Sequence, residues 1–172
     1  MPAQLPECYT GGGETEWGER DVADVFTRGV CHAVLEFGGG AGSVSTIVQQ
    51  HLENPANHVV VEPYEEKERL VANKQQCNLQ FQVIDHLVAE GEGARIRDMV
   101  DQDFDCLVVD CENCLVEEYR KNPDLFRSVK RIQVERDDGG DYDALFEELG
   151  FHAIHTGKGC DGGCVTEVLD RK

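Results

Sequence analysis

Short apolar runs recur along the chain, and most are followed by a stretch whose apolar residues return every third or fourth position. Ala33-Val34-Leu35, Val59-Val60-Val61 and Cys106 to Val109 are continuous runs, the pattern of strands buried on both faces of a parallel sheet, and Phe81 to Ile84 and Ile132 to Val134 read as further strands. After the first, Ser43 opens a helix with Val44, Ile47, Val48 and Leu52 on one side, closed by Asn54-Pro55. Pro63 with Glu65 and Glu66 suits another helix start, and Lys74 near its far end matches the dipole. Ile96, Met99 and Val100 mark a short helix. Leu115 to Arg127 reads as a helix broken near Asn122-Pro123. Tyr142, Leu145, Phe146 and Leu149 share a helix face that Gly150 terminates. His152 to His155 and Val165 to Leu169 flank a Gly- and Cys-rich turn and predict a hairpin. At the other end, Asp21 to Arg28 carries Val22, Val25 and Phe26 at helical spacing, whereas Met1 to about Glu19 has neither period and reads as a loose lead-in.

Strand and helix alternate, so an α/β fold is expected: a mostly parallel seven-stranded sheet, helices on both faces, right-handed crossovers and a C-terminal antiparallel hairpin strand. The expected division is a lead-in with a short helix over residues 1–29 and one domain over 30–172. In such sheets ligands bind beyond the carboxyl ends of the strands, at the switch point of the strand order.

The length, 172 residues, suits one such domain and leaves no room for a separate substrate domain. Lys and Arg number 16 against 34 Asp and Glu, a net charge of −18 that repels phosphate backbones and anionic lipid, so neither nucleic acid nor membrane is expected as a partner. The first thirty residues hold no apolar signal core, and no run approaches the roughly 18 apolar residues of a membrane span, so a cytoplasmic address is expected. Eight cysteines (8, 31, 77, 106, 111, 114, 160 and 164) are then expected as free thiols rather than as a disulfide framework.

The most informative segment is Leu35-Glu36-Phe37-Gly38-Gly39-Gly40-Ala41-Gly42, an acid followed by glycines at alternate positions between a strand and a helix. Glycine suits a tight turn, positive φ and close approach of a ligand to the backbone. Glu62 ends the next strand, where a carboxylate can accept both hydroxyls of a ribose. Two cofactors fit this layout. A dinucleotide fingerprint would run Gly38, Gly40 and then Ser43, so its last position fails, whereas E-x-G-x-G-x-G fits throughout.

In these residues the chain resembles the class I S-adenosylmethionine (SAM) dependent methyltransferases, over roughly residues 30–170. Its later half is similar to their FkbM-like group in Phe104 to Glu112, Val134-Glu135, Tyr142, Leu145, Leu149, Gly150 and Phe151. That group carries Asp-x-Glu-Gly-x-Glu after its fourth strand; here Asp110 and Glu112 match, while Asn113 and Leu115 replace the glycine and the last acid. The resemblance implies the Rossmann-like class I methyltransferase fold and SAM as cofactor. It implies Gly38, Gly40 and Gly42 against the methionine and ribose portions, and Glu36 orienting the loop or reaching the amino group. Glu62 would hold the ribose hydroxyls and Asp85 would lie at the adenine edge, although a solvated strand-end acid is the competing reading of Asp85.

Methyl transfer from a sulfonium is an in-line displacement by an already activated reagent, so alignment and exclusion of water dominate. A hydroxyl acceptor also needs a proton acceptor, for which Asp110 and Glu112 are the candidates; shaping the pocket is the alternative role. The expected activity is O-methylation of a small-molecule or saccharide-like hydroxyl. An NAD(P)-dependent oxidoreductase and an inactive methyltransferase-like binding protein are the alternatives. No resident metal is expected, although Asp110, Glu112, Glu135, Asp137 and Asp138 form an acid-rich set, and Cys111, Cys114, Cys160 and Cys164 could in principle converge on Zn²⁺. His86, His152 and His155 read as solvent or core histidines. A homodimer could supply a lid, but the sequence does not fix the oligomeric state.

Overall fold

The computed structural model describes residues 3–11, 17–85, 96–111, 114–136, 142–159 and 163–172. Strands β1 (Val34–Phe37), β2 (His58–Val61), β3 (Gln82–Ile84), β4 (Cys106–Val109), β5 (Arg131–Arg136), β6 (Phe151–Lys158) and β7 (Val165–Arg171) form one sheet of order β3-β2-β1-β4-β5-β7-β6. β1 to β5 pair in parallel, and β7 runs antiparallel between β5 and β6. The expected mostly parallel sheet with one antiparallel hairpin strand is therefore the one observed. Helices α1 (Trp17–Thr27), α2 (Ser43–His51), α3 (Lys67–Gln76), α4 (Ile96–Met99), α5 (Cys114–Lys121) and α6 (Asp143–Leu149) cover the two faces.

Alternation of side chains along each strand splits the interior in two. Leu35, Phe37, Leu107, Val109, Ile132 and Val134 point to one face and pack with Ile96, Leu115, Phe126 and Phe146. Val34, Cys106, Val108 and Val168 point to the other and pack with Val22 and Phe26 of α1 and Ile47 and Val48 of α2. Because both faces are covered, Val59 to Val61 of β2 and Cys106 to Val109 of β4 are unbroken apolar runs instead of an alternating pattern. β6, at the edge, has mostly exposed residues, as a strand with one neighbour permits.

Three sequence expectations change. The lead-in is tied down where it is described: Ala3 N donates to Asp21 Oδ1 at 2.7 Å and Thr10 N to Asn73 Oδ1 at 3.0 Å, while α1 already begins at Trp17. β1 does not stop at Glu36 but continues through Phe37, because the Glu36 carboxylate finds partners inside the protein. The cysteines are also not free thiols: Cys8–Cys77, Cys31–Cys106 and Cys111–Cys114 are disulfides, Cys164 is disulfide-bonded too, and no described cysteine is free. Spacing along the chain does not reveal such pairs. Cys31 meets Cys106 because β1 and β4 are neighbours in register, Val34 opposite Cys106. The break foreseen near Asn122-Pro123 is present, with α5 ending at Lys121 and a single 3-10 turn over Pro123–Phe126.

Candidate ligand cleft at the carboxyl ends of the strands

The strand order reverses between β1 and β4, and the glycine turn sits at that point. Gly38 N donates to Val61 O at 3.0 Å and Asp110 N to Phe37 O at 2.9 Å, so the chain ends after β1, β2 and β4 are stitched together. Gly38 has φ +83, and a Cβ there would lie 1.7 Å from the Asp110 carbonyl oxygen. Gly42, with φ +89, is the residue from which α2 starts. Both conformations exclude an L side chain at little cost, which is why glycine occupies these positions.

Glu62 braces this turn. It is 4% exposed, and its carboxylate accepts from Gly40 N at 2.8 Å and from Tyr64 N at 2.9 Å. The glycine turn and the second-strand acid, paired in the sequence reading, are thus joined directly. Asn73 of α3 supports the same turn from the other side, donating to Ala41 O at 2.9 Å and to Thr10 O at 3.1 Å.

Glu36 is engaged below the turn. Ser45 Oγ donates to its Oε1 and His58 Nε2 lies against its Oε2, both at 2.9 Å, within fully buried surroundings. Gln49 Nε2 donates to Pro55 O at 2.8 Å and meets His58 Nδ1 at 3.2 Å, while Gln49 Oε1 accepts from Gln80 N at 2.9 Å. An amide nitrogen only donates, so His58 Nδ1 accepts and the ring proton sits on Nε2, facing Glu36. These bonds tie Glu36 to α2 and to the start of β2.

A cleft opens above the strand ends, lined by Glu36, the turn Gly38 to Gly40, Val108, Asp110, Gln133, Glu135 and Glu19. Register explains the set: Glu36, Val108 and Gln133 are opposite one another across β1, β4 and β5 and form one row on the face that α1 covers. The enclosed part holds about 20 Å³, room for one water, within an open cleft of about 350 Å³. Gln133 is 2% exposed; its Nε2 reaches Glu19 O at 3.4 Å, and its Oε1 has no hydrogen-bond partner among the described residues.

The sequence-derived site is only partly assembled here. Glu36, Gly38, Gly40 and Asp110 line the cleft; Glu62 and Gly42 shape its wall from behind. Asp85 is outside the lining, with its side chain 62% exposed and paired with Lys67. Glu112, together with His86, Asn113, Asp137, Asp138 and Cys160, lies outside the described residues. Glu19 and Gln133 were missed. A glutamine inside the apolar run Ile132 to Val134 was a legible signal, whereas Glu19 carried none, because only packing of α1 brings it to the strand ends. Glu19, Glu135 and Cys164 offer ligand atoms within 4.8 Å of one another, but Cys164 is disulfide-bonded and supplies no thiolate. Cys111 and Cys114 are bonded to each other, which uses up the thiols that the zinc idea required.

The sequence matches no family model and no curated protein. Solved structures do match in fold. The TrmK protein of M. capricolum in complex with S-adenosyl-homocysteine aligns with a TM-score of 0.68 at 7% identity, over 90% of this chain and 68% of that one. An rRNA methylase from Streptococcus thermophilus aligns at 0.61 and 9% identity, over 89% and 93% of the two chains. The N-methyltransferase NodS of Bradyrhizobium japonicum WM9, also with S-adenosyl-homocysteine, aligns at 0.61 and 11% identity, over 89% and 85%. One expectation is corrected by this set. A small-molecule acceptor with nucleic acid excluded was inferred from net charge, yet an rRNA methylase is among the proteins that share the fold. Net charge sums over the whole surface and does not describe the patch that meets a substrate. The seven-stranded sheet with its antiparallel penultimate strand is therefore the Rossmann-like methyltransferase fold.

Proposed function

We propose that the chain is a SAM-dependent methyltransferase of the FkbM-like group, transferring a methyl group from the sulfonium to a hydroxyl. The observation that carries this reading is the sign of the cleft. Its ionisable lining residues Glu19, Glu36, Asp110 and Glu135 are all acidic. SAM brings a sulfonium and an ammonium and is drawn to such a lining, whereas the pyrophosphate of a nicotinamide dinucleotide is repelled. The partnerless Gln133 Oε1 offers a further buried acceptor to a ligand donor. The enclosed part takes no more than a water, so the cofactor belongs along the open mouth beside Gly38 and Gly40.

In this reading Glu62 holds the ribose hydroxyls, each of its oxygens keeping acceptor capacity after taking one backbone N–H. Gly38, Gly40 and Gly42 give the cofactor a wall without side chains, and Asp85 serves the adenine edge. Asp110, on the cleft, takes the proton of the acceptor hydroxyl, with Glu112 as its companion. The cofactor supplies an activated methyl group; the protein aligns it and keeps water out. That TrmK and NodS were solved with S-adenosyl-homocysteine supports the choice of cofactor.

Titration calorimetry with S-adenosyl-homocysteine and with NADH tests the reading. Binding of the first alone is expected, weakened by about 1–3 kcal/mol in Glu62→Gln. Binding of NADH alone overturns it. Transfer of labelled methyl to polyhydroxylated compounds, peptides and RNA transcripts then finds the acceptor, and tight binding with no transfer to any of them assigns the inactive alternative.

A further inference from the structure

We propose that the Cys111–Cys114 bridge is a thiol–disulfide exchange site on the rim of the cleft, reduced by a dithiol and re-formed without unfolding of the chain. The inference is independent of the methyltransferase reading and rests on how this bridge differs from Cys8–Cys77 and Cys31–Cys106. Cys31–Cys106 is sealed in the core, at 5% and 0% exposure, and closes a separation of 75 residues. Cys8–Cys77 is half-buried but closes 69 residues and fastens the N-terminal segment to the end of α3. Cys111–Cys114 closes a separation of three. A cross-link over so short a loop removes less than half as much entropy from the unfolded chain as either long one, so it contributes less to holding the fold together. Its position gives it another use, since Cys111 directly follows Asp110 of the cleft and is only half-buried, whereas Cys114 is 8% exposed.

Both ends of the motif are fixed by contacts that do not involve sulfur. Asp110 N donates to Phe37 O at 2.9 Å, Cys114 N donates to Cys111 O at 3.0 Å, and the neighbouring Leu115 is fully buried in the core. Opening the bond therefore leaves the two sulfurs close together, and re-formation is an intramolecular reaction. Cys114 is the first residue of α5, where the unpaired N–H groups of a helix start favour a thiolate.

One thiolate of the dithiol attacks Cys111 Sγ; the Cys111–Cys114 bond breaks and Cys114 leaves with the electron pair as a thiolate. The second thiol of the same dithiol, giving up its proton, attacks the mixed disulfide. It releases Cys111 as a thiolate and closes the oxidised dithiol. Two electrons pass to the protein, and the two protons lost by the dithiol end on Cys111 and Cys114.

The test uses the full chain under native conditions, equilibrated in graded mixtures of reduced and oxidised dithiothreitol, quenched in acid, alkylated and read bridge by bridge by peptide mass spectrometry. The expected result is labelling of Cys111 and Cys114 at a reductant ratio at least about tenfold below that opening Cys8–Cys77 or Cys31–Cys106, with an unchanged far-ultraviolet circular dichroism spectrum. Return to oxidised dithiothreitol should remove the labelling. A Cys111→Ser/Cys114→Ser variant should lose this first step and keep the spectrum; if it does not fold, the wild-type labelling profile still decides. Opening of Cys111–Cys114 only together with Cys8–Cys77 and Cys31–Cys106 and with loss of the spectrum, or protection of Cys111 and Cys114 until the chain unfolds, overturns the proposal.

Discussion

A carboxylate buried inside a parallel sheet is expensive unless each oxygen finds a donor, and Glu36 meets that demand with Ser45 and His58. His58 in turn depends on Gln49, and Gln49 on Pro55 and Gln80, so a chain of donors runs from the surface loop to the base of the glycine turn. Replacing His58 by alanine leaves the acid short of a donor and opens a cavity. We expect His58→Ala to lower unfolding free energy by about 2–4 kcal/mol in urea titrations. Glu118 of α5 is the opposite case. Burial pushes its pKa above the ordinary 4.5, against the opposing effect of the Asn122 Nδ2 hydrogen bond. A carboxyl whose folded pKa is raised contributes stability that is full below its unfolded value and is lost as pH rises through the folded one. Glu118→Gln cannot ionise. Its Tm relative to the parent should therefore be higher at neutral pH than near pH 4, and an equal difference at both would refute the assignment. Of these residues the sequence exposed Glu36 by its place before the glycines. It gave no sign of His58, whose partner is 22 positions away and is reached only through β1–β2 pairing.

At the scale of elements, the strand-to-helix turn after β1 was readable because its demand is local: positive φ needs glycine wherever the turn is built. What the turn leans on was not readable. Gly38 faces the carbonyl of Asp110, the residue after β4, some seventy residues later. The two causes can be separated. Gly29 also has positive φ, +68, but open space around its missing Cβ. Gly29→Ala should cost about 1–2 kcal/mol from backbone strain alone, while Gly38→Ala should exceed it by at least about 2 kcal/mol through the clash with backbone that cannot move aside. Equal losses in denaturant titrations would show that Asp110 gives way. The lead-in makes the same point from the other direction. Its composition offers no period to read, yet Asn73, Asp21 and Cys77 hold its described residues against α3 and α1.

For the whole molecule, the long-range bridges carry weight that the short one does not. A loop of about 76 residues corresponds to about 4.5 kcal/mol of unfolded-chain entropy, against about 2 kcal/mol for a loop of about four. Cys31→Ala/Cys106→Ala should accordingly lower the denaturant midpoint far more than loss of the Cys111–Cys114 bond, and the reverse order would contradict the entropic account. Such bridges persist in oxidising surroundings, so the chemistry of these cysteines does not support the cytoplasmic address read from the sequence; what the structure adds is that no helix among the described residues is long and apolar enough to cross a membrane. The sequence by itself determined the order and type of the elements, because strand burial and helical period are written in neighbouring residues. It also located the glycine turn and the acids at or beside the carboxyl ends of the first strands. Tertiary structure alone decided that Glu62 grips the Gly40 amide, that Glu19 and Gln133 face the cleft, that Asp85 stays outside it and that the cysteines pair. Each of those depends on which strands become neighbours and in what register, and a contact between distant residues leaves no mark on the local pattern of either partner.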